Sequence, residues 1–301
     1  MRRLTVIAAL AVVLVVGCTP LGGDTPPTVA PPSPSPSSID GFCSGTGIRT
    51  FDFDGTDRPY FVHGPRGWDG ETDLPVVYLF HGLGGQADVN AAYTGLAEVA
   101  DDRGFVLVAP QAVGEGLSWD YRSDAPDGDV AFVEALASMV GAQDCVDPER
   151  QFATGLSNGS ALVFALACSG TSTMQGYAGV AAAFYDTSCD ASPPAPIVYF
   201  HGTGDEVVPF DGGPTPIEPV EPVPTTMAGW AQHDGCGPDP DVTPMGDDVE
   251  HLVWQGCDEP LEAYYIDGGG HVWPGAPPFD ALGPTTTTVS ASVVMADFFG
   301  L

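Results

Sequence analysis

The stretches Val76–Phe80 (VVYLF) and Phe105–Ala109 (FVLVA) are apolar without interruption. Runs of this length predict strands buried on both faces. Between and after them the period changes. Ala91–Asp101 has helical spacing, and Val130–Val140 predicts an apolar-rich helix with Asp127 or Asp129 near its start as the cap. Gln151–Thr154 reads as a short strand that runs directly into a helix over Asn158–Ala167. Ala178–Ala182 and Ile197–Phe200 predict strands, Thr226–Gln232 a helix, Leu261–Ile266 a strand and Val289–Phe299 a closing helix. Two earlier strands, Arg49–Phe53 and Tyr60–Val62, turn at Asp54-Gly55. The Pro- and Glu-rich stretch Asp211–Pro224 reads as a surface loop. Strands that alternate with helices predict an α/β architecture, a mostly parallel central sheet with helices on both faces.

The first forty residues follow a different pattern. Arg2 and Arg3 precede an apolar run, Val6–Val16, too short for an ordinary spanning helix, so residues 1–17 read as an export signal. Val15-Val16-Gly17-Cys18 resembles the bacterial lipoprotein box, in which lipid on Cys18 would anchor the protein to a membrane without spanning it. A plain signal peptide that happens to contain a cysteine is the other reading. Thr19–Asp40 is rich in Pro, Ser and Thr and predicts an extended tether, leaving residues 41–301 as one domain. The expected address is therefore outside the cytoplasm, lipid-anchored on the outer face of the cell membrane or secreted.

Charge and cysteine content narrow the class. The formal net charge is −32, there is no lysine, and all eight basic residues are arginines. Such a surface repels phosphate backbones, which excludes a nucleic-acid partner. With Cys18 assigned to lipid, Cys43, Cys145, Cys168, Cys189, Cys236 and Cys257 remain, an even set that suggests three disulfides in an exported chain. Spacing leaves their connectivity open. Cys236–Cys257 ranks first because it closes a loop rich in Pro, Gly and Asp, Cys168–Cys189 second, and Cys43–Cys145 follows by elimination. No Cys/His spacing suits zinc, so no metal is expected.

The candidate chemistry lies at strand ends. Gly155-Leu156-Ser157-Asn158-Gly159 matches G-x-S-x-G, the sharp strand-to-helix turn that thrusts a serine clear of the backbone, and it has strand before it and helix after it. Ser157 is the expected nucleophile. His81-Gly82-Leu83-Gly84-Gly85 follows VVYLF, where a second backbone N–H can join an oxyanion hole, assigned here to the N–H groups of Leu83 and Asn158. The His81 side chain is expected to be structural. Ile197–Phe200 leads to Asp205, the best-placed acid, with Asp186 and Asp211 as rivals; Glu206 is adjacent but would point elsewhere. Leu261–Ile266 leads through three glycines to His271, the expected base. His233 and His251 read as surface residues. Trp119 and Trp273 either line the substrate pocket or pack their loops onto the core.

Together LFHGLGG, FATGLSNGS, FHGTGDEVVP, WAQHDGCG and GGGHVWPG resemble the polyhydroxybutyrate depolymerase-like esterases, a family that also holds feruloyl and acetylxylan esterases. The resemblance runs from about Arg49 to Leu301. It implies an α/β-hydrolase fold, the triad Ser157, Asp205 and His271, a disulfide near Cys236, and hydrolysis of carboxylic esters through an acyl-enzyme. Two departures stand out. Ser160 occupies a place where the family often has glycine, and the Pro/Glu-rich stretch after Asp211 is unusual beside the acid.

The expected function is a serine ester hydrolase that needs no cofactor and acts as a monomer on polyhydroxyalkanoate-type esters, feruloyl or acetyl polysaccharide esters, or small esters. A solute-binding lipoprotein on a reused hydrolase fold would have lost a triad residue or the oxyanion glycines, and this chain keeps them all. A peptidase of this fold often carries an added lid or propeller domain, for which the chain has no length.

Overall fold

The computed structural model describes residues 41–114, 116–121, 128–185, 189–215 and 218–301. The expected leader, Cys18 and the tether lie outside these residues, as does Asp127. No helix among the described residues is long and apolar enough to cross a membrane.

The strands are β1 (Thr46–Phe53), β2 (Thr56–His63), β3 (Leu74–Phe80), β4 (Val106–Pro110), β5 (Val146–Leu156), β6 (Tyr177–Val180), β7 (Ile197–Gly202), β8 (Asp241–Met245), β9 (Val249–Val253) and β10 (Leu261–Ile266). They form one sheet in the order β1-β2-β4-β3-β5-β6-β7-β10-β9-β8. The inner six, from β4 across to β10, are parallel, and the antiparallel pairs β1-β2 and β9-β8 close the two edges.

Every residue of β3 and β4 is buried, because helices cover both faces. Val76, Tyr78 and Phe80 point into one core with α3 (Asp129–Gly141), α4 (Asn158–Ser169) and α5 (Val223–His233). Val77 and Leu79 point into the other with α1 (Ala87–Thr94), α2 (Leu96–Arg103) and α6 (Ala291–Phe298). The period-2 alternation of a strand thus divides one apolar run between two layers.

Three local expectations change. The helix read over Ala91–Asp101 is two helices, broken at Gly95, whose left-handed backbone (φ 70°) ends α1 and begins α2. Asp129 does not cap α3. Gly128 holds the cap position, and the Asp129 carboxylate turns inward to pair with Arg58 on β2 at 2.6 Å. The hairpin β8-β9 was not foreseen: β8 is an edge strand with Pro244 inside it and exposed side chains, so it carries no apolar alternation.

All three ranked disulfides are present, Cys43–Cys145, Cys168–Cys189 and Cys236–Cys257. They fit an oxidising compartment.

The Arg58–Asp129 pair ties the sheet to a helix and a loop at once. The second Asp129 oxygen accepts the Asp120 N–H at 2.7 Å, and the Arg58 guanidinium lies 3.6 Å from the centre of the Phe132 ring. Both side chains are almost fully enclosed. Replacing Asp129 by Ala leaves a buried cation alone, so urea denaturation should show a loss of about 3–5 kcal/mol.

Candidate active site

The C-terminal ends of β3, β5, β7 and β10 converge at one end of the sheet, where open α/β sheets place their ligands. Ser157 sits between β5 and α4 with φ 57° and ψ −124°, backbone angles that cost a non-glycine residue free energy. The two flanking glycines make room. A Cβ on Gly155 would stand 2.4 Å from the Gly159 carbonyl oxygen, and one on Gly159 would stand 2.3 Å from that of Phe80. The Ser157 N–H donates to Val180 O at 2.8 Å, so the end of β6 pins the turn. The Ser160 hydroxyl donates to Ala182 O and fills the space opposite Gly179, which explains how a residue larger than glycine is accommodated there. Ser157→Gly should therefore raise unfolding stability by about 1 kcal/mol, measured by urea titration.

The neighbouring HGLGG turn is fixed by the His81 ring. Burial lowers the pKa of His81, so the neutral ring donates from Nδ1 to Gly82 O (2.7 Å) and accepts at Nε2 from the Ala112 N–H (3.1 Å) and Gln111 Nε2 (3.0 Å). A Cβ on Gly82 would lie 3.4 Å from Ser157 Cβ, which shows how closely the two turns approach. Asn158, the first residue of α4, is buried, and its side-chain amide clasps the Trp119 peptide, Oδ1 accepting at 2.7 Å and Nδ2 donating at 3.3 Å.

His271 follows β10 on a loop whose glycines let it cross close to its neighbours: a Cβ on Gly270 would meet Leu282 O at 2.2 Å. Its Nδ1 lies 2.7 Å from Asp205 Oδ2, and Asp205 is wholly shielded from solvent. The other oxygen, Oδ1, accepts the N–H groups of Val207 and Val208, both at 2.8 Å. Asp205 is thus the acid that meets His271.

His201 stands on the far side of Asp205, its Nε2 3.5 Å from Oδ2. Burial pushes its pKa down to about 4, so the ring is neutral, donating from Nε2 to Val208 O (2.9 Å) and accepting the Tyr199 hydroxyl at Nδ1. The unfolded chain binds a proton on this histidine near pH 6.5, and the folded chain refuses it until about pH 4. Stability should therefore fall by about 3 kcal/mol as pH drops from 6.5 to 4, and urea midpoints should show a shallower acid slope in His201→Gln.

A cavity of about 500 Å³ opens at this end of the sheet, with Ser157, His271, Asn158 and Leu83 in its wall. Trp119 and Trp273 do not line it. Trp119 is buried between Phe80 and His81 and donates from Nε1 to His81 O at 2.8 Å. Trp273 is buried beneath α6 and donates to Ser292 Oγ at 3.0 Å. Each packs its loop onto the core because its N–H has a partner inside. The walls come instead from Tyr93, Tyr121, Phe184 and Phe279, none of which lies in a recognisable motif. Part of the Asp211–Pro224 stretch also faces the cavity, through Thr215, Glu218 and Val220, so it is more than a surface loop.

His233 and His251 are not free surface residues. His251 stacks on Tyr264 and pairs with Glu262 at 2.8 Å. His233 joins Ser192 (3.3 Å) and Asp234 (2.7 Å) in a second Ser–His–Asp chain away from the cavity. There the serine hydroxyl donates to Cys189 O, and burial pushes the Asp234 carboxyl up to about 6, so the cluster braces two disulfide-bounded segments.

The sheet order, the strained serine turn and the layer of helices define an α/β-hydrolase, and the acetyl xylan esterase from Aspergillus awamori shares this fold: 84% of this chain and 99% of that one align at a TM-score of 0.62 and 15% identity. Residues 60–192 match the family described as Esterase PHB depolymerase, and the chain is a carboxylic-ester hydrolase. NocK of Nocardia uniformis subsp. tsuyamanensis, an esterase by name, is 27% identical over 91% of this chain and 90% of its own. Feruloyl esterase C of Emericella nidulans is 27% identical over 70% of this chain and 76% of its own.

Proposed function

We propose that this ester hydrolase works through Ser157 as nucleophile, His271 as base and Asp205 as the acid that orients it. The observation that carries the reading is the backbone of Ser157, a strained turn held at the cavity wall with His271 in the same wall. Asp205 accepts from His271 Nδ1, which keeps the proton there and leaves Nε2 able to take one. Ser157 Oγ attacks the ester carbonyl carbon while its proton passes to His271 Nε2. The N–H groups of Leu83 and Asn158 receive the negative charge that develops on the carbonyl oxygen. Asn158 opens α4, so its N–H is among those with no partner inside the helix, and the helix adds positive potential. The imidazolium returns its proton to the departing alcohol, leaving an acyl-serine. Water, deprotonated by His271, then releases the acid and restores Ser157.

The largely apolar cavity suits acyl or alcohol groups of feruloyl, hydroxyalkanoyl or short aliphatic type. The remaining assignments are an export signal over residues 1–17, lipid on Cys18, a tether to residue 40 and a monomeric catalytic domain over 41–301. Their support is the sequence pattern of the first forty residues and the disulfides of the domain.

The experiment is hydrolysis of 4-nitrophenyl butyrate by the full chain beside Ser157→Ala and Asp205→Asn. Ser157→Ala should lose at least about a thousand-fold in kcat and escape labelling by a fluorophosphonate that modifies the wild type. Asp205→Asn should lose about a hundred- to ten-thousand-fold. Equal rates in wild type and Ser157→Ala would refute the serine mechanism.

A further inference from the structure

Among the described residues that line the cavity, Glu218 is the one acid. It belongs to the Pro/Glu-rich stretch that sets this chain apart, and that stretch is built. Gly213 and Val220 exchange a pair of backbone hydrogen bonds (2.9 and 2.8 Å), closing an arch, and the Val223 N–H donates to Phe210 O at its foot (2.9 Å). Inside the arch the Thr215 hydroxyl donates to Glu218 O at 2.6 Å and accepts the Glu218 N–H at 3.2 Å. The Glu218 carboxylate then reaches the opposite wall, where it accepts the Tyr121 hydroxyl. Burial first, and then the Glu218 hydrogen bond and charge, raise the Tyr121 pKa, so the phenol keeps its proton at this contact. Tyr121 is held in turn beside Phe184, their ring centres 6.0 Å apart. An acidic side chain thus joins two walls of a cavity whose lining is otherwise mainly apolar.

We propose that Glu218 is a specificity-determining residue that excludes esters bearing a carboxylate and admits neutral ones. The inference rests on the serine reading of the same cavity. Glu218 is itself exposed, so a like charge entering beside it meets a repulsion that salt weakens and that is felt most at low ionic strength. On a polyester strand it follows that the free carboxylate end is disfavoured, and entry is by the hydroxyl end or the interior.

The test uses the full chain, Glu218→Gln and Glu149→Gln. Glu149 is an exposed acid near the opposite end of β5, so its variant removes the same unit of net charge away from the cavity. Two pairs of probes place a carboxylate on either side of the ester: 4-nitrophenyl hydrogen glutarate against its methyl ester, and 3-acetoxybenzoate against methyl 3-acetoxybenzoate. The quantity read is the ratio of kcat/KM for the anionic to the neutral member at low ionic strength. Measured on one preparation, the ratio is independent of how much of a variant folds. Glu218→Gln should raise it about five-fold on at least one pair, and Glu149→Gln should leave it near the wild-type value. Unchanged ratios on both pairs in Glu218→Gln, or an equal rise in Glu149→Gln, would overturn the assignment while leaving the serine mechanism intact. A wild type that hydrolyses neither neutral ester would remove the serine mechanism and this inference together.

Discussion

A serine at a strand-to-helix junction stands clear of the backbone only with positive φ, and that conformation needs support from every side. Here the cost at Ser157 is offset by contacts that no single element supplies. β6 accepts its N–H, two glycines clear the space on either side, and the HGLGG turn presses against it through Gly82. Remove the close approach of β5, α4 and β3, and the residue relaxes to an ordinary strand or helix conformation. The six parallel strands matter to function chiefly because they hold three separate loops against this one turn.

Two buried histidines hold loops together around this turn. His81 and His201 are both neutral, and each uses its two ring nitrogens on different partners, one as donor and one as acceptor. A neutral ring can fix two loops with opposite hydrogen-bonding needs, which neither a lysine nor a carboxylate can do. His81 fixes the turn beside Ser157, and His201 borders the carboxylate that His271 requires. The lowered pKa values keep both rings neutral.

Most of the framework was legible in the chain because its strands are short apolar runs and its chemistry sits directly after them. Ser157, Asp205 and His271 each follow a run that needs no partner to be recognised. The three disulfide pairings are the expected ones, reached from loop composition and elimination. Other features depended on distant contacts. Asp129 looked like a helix cap until Arg58, seventy-one positions earlier, claimed it. Trp119 and Trp273 read equally as pocket walls or as core packing, because aromatic residues in such loops serve either purpose, and only their buried N–H partners separate the two. Of the true walls, Tyr121 and Phe184 come from irregular segments with no periodicity to read. The β8 edge strand escaped for the opposite reason, since solvent on its side chains removes the alternation that marks a strand.

The bridge between Cys43 and Cys145 has a mechanical meaning. β1 is an edge strand whose ladder pairs only with β2, and in this antiparallel pair a pull from the N-terminal side would unzip it one rung at a time. Cys43 lies ahead of β1, and its partner immediately precedes β5, with the Cys145 carbonyl bonded to Leu74 at the start of β3. Tension arriving ahead of Cys43 therefore enters the middle of the sheet through a covalent link. The edge strand is bypassed, and the domain meets the load with β3 and β5, neighbours in the middle of the sheet.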